Sequence, residues 1–210
     1  MRKIISTNSL LIICFWVFCC TSYAQHNADD APKNYCILFV GNSLTLSNNL
    51  PALVAEEAMG RGIYINTEVL AYPNYALEDH WNDKILQKKL LNRNFDFVIL
   101  QQGPSSQPEG REMLIEYGMR IKELCAYGQT KLVFFMVWPA SQNYQMFEGV
   151  IRNYADAADL SKAILCPVGQ QWKNYIDRTN DFSYYGLDGF HPSLTGSKKA
   201  AEIIVDSIFK

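Results

Sequence analysis

Tyr35-Cys36-Ile37-Leu38-Phe39-Val40 is a run of six apolar residues, and Gly41-Asn42-Ser43-Leu44-Thr45 follows it directly. A continuously apolar run this short reads as a strand of a parallel sheet, covered by helices on both faces. Residues 97–100 (FVIL) and 132–137 (LVFFMV) are of the same kind. Residues 63–70 (IYINTEVL) alternate instead, which suits a strand nearer the sheet edge. Residues 163–168 (AILCPV) contain Pro167, which lacks the N–H that a central strand uses and so marks an edge strand or a strand end. Between these runs the spacing predicts helices over 49–60, 80–91, 109–127, 145–161 and 194–209. Pro51 is suited to the first turn of the first of them. Leu194, Ala201, Val205 and Ile208 share one face of the last. Strand and helix alternating five times mean βαβ units. The fold class is α/β: a three-layer α/β/α sandwich around a five-stranded parallel sheet, one domain spanning 34–210.

The chain has 210 residues, 49% hydrophobic and 19% charged, with a net charge of -2. That composition excludes a disordered or collagen-like chain. No run of Lys or Arg supplies the electrostatic footprint of nucleic-acid binding. Arg2 and Lys3 precede an apolar stretch over 10–20, and Ser22-Tyr23-Ala24 places small residues where a signal peptidase reads. This pattern predicts an export signal over 1–24, cleaved after Ala24, and a periplasmic or extracellular protein. A span needs about 20 apolar residues, so no stable membrane span is expected after cleavage. A lipid anchor at Cys19 or Cys20 is disfavoured, because Phe18 or Cys19 would stand where a small residue belongs. Residues 25–33 are polar and read as a flexible tether. Of the cysteines left, Cys36 and Cys166 lie in apolar runs and are expected to be buried, and no CxxC or Cys/His cluster suggests zinc.

Ligands of such sheets bind outside the carboxyl ends of the strands. Ser43 stands there, two residues past the first strand and behind a glycine that lets the chain turn. Two readings of Gly41-Asn42-Ser43-Leu44-Thr45 are open: a hydroxyl presented for chemistry, or Ser43, Thr45 or Ser47 capping the next helix. The stretch lacks the second glycine of the G-x-S-x-G elbow. His191 stands three residues after Asp188, just before the last helix. A carboxylate accepting from one ring nitrogen fixes the tautomer and frees the other nitrogen to take a proton from a hydroxyl. Pro192 holds His191 extended, outside the helix that follows. Glu78, Asp79 and His80 form a second polar cluster. Acids belong in a helix's first turn, so no metal site is expected there, though His80 has room for a role at the pocket rim. Trp138 and Pro139, after the fourth strand, are candidates to line the pocket.

Taken together these blocks resemble the SGNH hydrolases, the GDSL-like esterases and lipases. Phe39-Val40-Gly41-Asn42-Ser43-Leu44-Thr45 is similar to the family's first block, with Asn42 where many members have Asp. Asp188-Gly189-Phe190-His191-Pro192 is similar to its last, so the resemblance covers the domain from end to end. It implies a flavodoxin-like sheet topology, Ser43 as nucleophile, His191 as general base and acid, and Asp188 as the orienting carboxylate. It also implies an oxyanion hole built from the N–H of Ser43, the N–H of Asn74 and a side-chain amide. Asn74 occupies the family's glycine position, and asparagine tolerates a left-handed backbone. The family's third-block asparagine is missing from Gln101-Gln102-Gly103-Pro104, so Gln102 is the first candidate for the amide and Gln101 the second. The expected activity is hydrolysis of a small-molecule or polysaccharide ester, such as a carbohydrate O-acetyl group, with no metal and no organic cofactor. Two rivals stand beside it. One is a flavodoxin-like phosphate- or cofactor-binding module in which Ser43, Thr45 and Ser47 bind rather than attack. The other is a catalytically inactive carbohydrate-binding relative, left open by the altered third block.

Overall fold

A computed structural model describes residues 34–210; the export signal and tether expected over 1–33 lie outside the described residues. Five parallel strands form one sheet in the order β2-β1-β3-β4-β5. They are β1 (Asn34–Gly41), β2 (Tyr64–Ala71), β3 (Phe97–Leu100), β4 (Lys131–Phe135) and β5 (Ile164–Cys166). The apolar β1 is paired on both sides, Gly41 opposite Ala71 of β2 and Val40 opposite Leu100 of β3. Residues 37–40 are accordingly buried, whereas only Leu70 of the alternating edge strand β2 is.

The chain returns between strands through α1 (Ser43–Leu46), α2 (Leu50–Met59), α3 (Leu77–Asn82), α4 (Ile85–Asn92), α5 (Pro108–Tyr127) and α6 (Phe147–Ser161), and ends in α7 (Val168–Thr179) and α8 (Leu194–Ile208). α2 packs on α8 on one side of the sheet, while α3, α4, α5 and α6 pack in sequence on the other. Strand order and helix placement give the flavodoxin-like, three-layer architecture expected from the sequence.

The departures have local causes. The helix expected over 80–91 is two helices, because Lys84 adopts a left-handed backbone (φ 61°) between them. The fifth strand stops at Cys166, and Pro167 caps α7. A proline costs nothing at a helix start, where its N–H would have no partner. α7 itself is not foreseen: its buried apolar side chains Val168, Trp172 and Ile176, spaced four apart, are a sparse signal. β4 ends at Phe135, but Met136, Val137 and Trp138 run on as buried chain. Leu194 of α8 is exposed, and Cys36, near the start of β1, is only half-buried. Cys125 and Cys166 are free and buried, which pushes their thiols up to about 11 and about 12 and removes them from thiolate chemistry. Among the described residues no helix is long and apolar enough to cross a membrane.

Candidate active site

The carboxyl end of β1 turns directly into α1, and the turn is built to leave one hydroxyl free. Asn42 takes the capping position, its Oδ1 accepting from Leu44 N at 3.1 Å. Its Nδ2 donates to Tyr75 O at 3.0 Å. Thr45 Oγ1 points inward and donates to Gln101 Oε1 at 2.8 Å, and Ser47 Oγ donates to Ser43 O at 2.8 Å. Of the three hydroxyls the sequence left as alternatives, those of Thr45 and Ser47 are thus spent on Gln101 Oε1 and Ser43 O. Gly41 is required by close approach: a Cβ there would lie 2.4 Å from Thr45 Oγ1 and 2.5 Å from Gln101 Oε1.

The segment before α8 brings the imidazole. Asp188 Oδ1 accepts from Phe190 N at 3.0 Å and His191 N at 2.9 Å, winding the turn around its own carboxylate. Gly189 supplies the left-handed residue this turn needs (φ 70°), and a Cβ there would lie 2.6 Å from Ser141 Oγ. Neighbouring loops hold the turn from outside. Trp138 Nε1 donates to Phe190 O at 3.0 Å, and Ser141 N to Gly189 O at 2.8 Å. Trp138 is thus not a pocket wall. It is buried, stacked on Trp172 at 3.6 Å, and serves as a strut for the turn.

His191 Nδ1 lies 2.6 Å from Asp188 Oδ2, and His191 Nε2 lies 3.0 Å from Ser43 Oγ. A carboxylate can only accept, so Nδ1 carries the proton and the Nε2 lone pair faces the hydroxyl. The His191 imidazole, with the two backbone N–H groups, holds the Asp188 carboxyl below the usual carboxylate range. Both side chains are substantially exposed, which leaves the line open to solvent and substrate.

Next to Asn42, which directly precedes Ser43, a cleft of about 380 Å³ opens between the loops after β2 and β3, lined also by Asn74, Tyr75, Gln102, Ser106 and Met113 among others. Asn74 has a left-handed backbone (φ 65°), the conformation open to an asparagine at a glycine's place. Among the described residues neither the Ser43 nor the Asn74 N–H donates to another protein group. Gln102 lines the cleft, but its Nε2 donates to Ser105 Oγ at 2.8 Å and to Gly110 O at 3.4 Å, while its Oε1 accepts from Leu77 N. Gln101 is placed elsewhere: it lies beneath the turn that carries Ser43, accepts from Asn42 N and Thr45 Oγ1, and donates to Gln102 O. It braces the turn and does not line the cleft.

His80 is not at a rim either. It is 1% exposed and its Nε2 donates to Gly41 O at 2.8 Å, directly below the turn. Burial pushes its pKa down, against the pull of the Gly41 carbonyl and of Asp83 and Asp79. Asp79 caps its own helix by accepting from Ala76 N at 2.8 Å. Among the described residues no three His, Cys, Asp or Glu side chains cluster as a metal site would need. The bracing by Gln101 and His80 escaped the sequence, since both act across strands. Asn42 as a cap was legible, asparagine being a favoured residue there.

No family model and no curated protein matches the chain. Solved structures do. A protein from Slackia heliotrinireducens described as an SGNH hydrolase is 24% identical with a TM-score of 0.72, covering 84% of this chain and 100% of its own. A lipase/acylhydrolase from Enterococcus faecalis is 16% identical (TM-score 0.67; 83% and 95% covered). The acetylxylan esterase Axe2 from Geobacillus stearothermophilus is 14% identical (TM-score 0.61; 84% and 94% covered). The chain has the fold of these hydrolases over nearly all of their length.

Proposed function

We propose that this chain is an exported serine esterase of the SGNH type, which hydrolyses short acyl esters, such as O-acetyl groups on a carbohydrate, through an acyl-enzyme. The observation that carries this reading is the unbroken line from Ser43 Oγ through His191 to Asp188, at 3.0 and 2.6 Å. As Ser43 Oγ attacks the ester carbonyl, His191 Nε2 takes its proton. The developing oxyanion is held by the N–H groups of Ser43, at the start of α1, and of Asn74, with Gln102 as third donor. For Gln102 to serve, its longer bond to Gly110 O must be released. Losing one such donor costs about 2.7–4 kcal/mol of barrier. His191 then gives the proton to the departing alcohol, and water, activated by the same nitrogen, releases the acid.

The small, open cleft of about 380 Å³ supports a short acyl group, and the similarity in fold to Axe2, an acetylxylan esterase, points the same way. Thr45 and Ser47 spend their hydroxyls on Gln101 Oε1 and Ser43 O, which leaves a phosphate-cradling module without two of its three hydroxyl donors. The test is labelling with a fluorophosphonate, together with hydrolysis of acetyl and long-chain nitrophenyl esters. Labelling is expected in the wild type and absent in Ser43→Ala of equal melting temperature; labelling that survives the substitution would remove Ser43 from its role. Export is checked by fractionating cells and sequencing the mature N-terminus, expected at Gln25.

A further inference from the structure

Ser43 and His191 meet although no strand pairing joins their segments. The chain between α1 and α2 makes a short turn in which Asn48 and Asn49 both adopt a left-handed backbone (φ 52° and 53°). Such a backbone is unfavourable for most side chains and is more readily visited by asparagine. The turn aims Asn48 across to the other end of the domain. Its Nδ2 donates to Pro192 O at 3.0 Å and to Ser197 Oγ at 2.9 Å. Pro192 directly follows His191, and Ser197 is buried in the first turn of α8. One planar amide group therefore uses both its hydrogens on the segment that carries the base, while its own backbone lies five residues past the nucleophile. Asn49, in the same conformation, has no side-chain capping bond.

We propose that Asn48 is a positioning residue, a clamp that holds the His191 segment at hydrogen-bonding distance from Ser43. The proposal rests on the acyl-transfer reading above. Asn48 is not a cleft-lining residue, so it acts on the rate and not on substrate affinity.

The decisive variant is Asn48→Gly, because glycine keeps the left-handed turn and deletes both bonds. A misplacement of about 1 Å can cost ~100-fold, and the ties from Trp138 and Ser141 remain, so kcat on nitrophenyl acetate is expected to fall about tenfold with KM unchanged. Asn49→Gly, the same swap without the bonds, is expected to leave kcat unchanged. Ser197→Ala removes one acceptor and is expected to lower kcat less; on the Asn48→Gly background it should add nothing further. The His191 Hε1 proton resonance provides a second measure that needs no turnover. It is expected to shift or broaden in Asn48→Gly and to stay in place in Asn49→Gly. An unchanged kcat with an unmoved resonance overturns the clamp, as does a loss that appears only as raised KM and lowered melting temperature. If turnover instead survives Ser43→Ala, the esterase reading fails and the resonance alone decides the clamp.

Discussion

His80 Nε2 and the carbonyl oxygen of Gly41 lie 2.8 Å apart in a site that is 1% exposed, so a neutral imidazole supports the residue from which the chain turns to Ser43. Tyr72 N donates to the same oxygen at 3.2 Å, and His80 Nδ1 has no hydrogen-bond partner among the described residues. The rings of Tyr72 and Tyr75 pack against the imidazole, and Asp79 and Asp83 lie close enough to favour its charged form without overcoming burial.

This arrangement makes stability depend on pH. The folded pKa of His80 lies below the unfolded one, near 6.5, so the unfolded chain binds more protons as pH falls. Stability is therefore fully present above the unfolded value and declines as pH falls through and below it. The melting temperature is expected to drop by about 3 °C or more between pH 7.5 and 5. His80→Gln should melt lower at pH 7.5 but lose less on acidification; an equal slope in both proteins would assign the effect to other groups.

On the proposed mechanism, Asp188 governs the acid side of catalysis. Its lowered pKa means that the carboxylate persists to more acidic pH than a free one and loses its charge only as pH falls through that lowered value. The acid limb of kcat/KM is then expected to fall with a slope of one and to show no second break from a carboxylate titrating in its ordinary range. Asp188→Asn should lower kcat by about 100- to 1,000-fold. That is less than the ~10⁴ of a buried orienting carboxylate, since this side chain is 53% exposed and water can take its place.

The two glutamines should separate by assay. Gln102→Ala is expected to lower kcat about 100-fold with little change in KM, as loss of an oxyanion donor does. Gln101→Ala leaves Asn42 N and Thr45 Oγ1 without their acceptor, and is expected to show first as a fall in melting temperature. The reverse ranking would exchange their roles.

On the proposed mechanism, Asn74 contributes through its backbone. Asn74→Gly is expected to keep full activity, since glycine adopts φ 65° freely. Asn74→Val carries a penalty of about 1–2 kcal/mol for that conformation. It should lose activity well before it loses fold, which circular dichroism and steady-state rates on the same sample would distinguish.

Local pattern carried much of this protein. The unbroken apolar run of β1, the alternation of β2 and the strand–helix rhythm reveal the layered parallel sheet, because periodicity reports which faces are buried. The spacing of Asp188 and His191 likewise encodes a bond within one turn. Tertiary structure alone decided what depends on groups distant in the chain: that Gln101 braces the turn while Gln102 lines the cleft, and that His80 and Trp138 are supports. Each of these assignments rests on a hydrogen bond between different strands or loops. A bond of that kind leaves no periodic trace in the sequence, since its partners become neighbours only when the sheet is assembled.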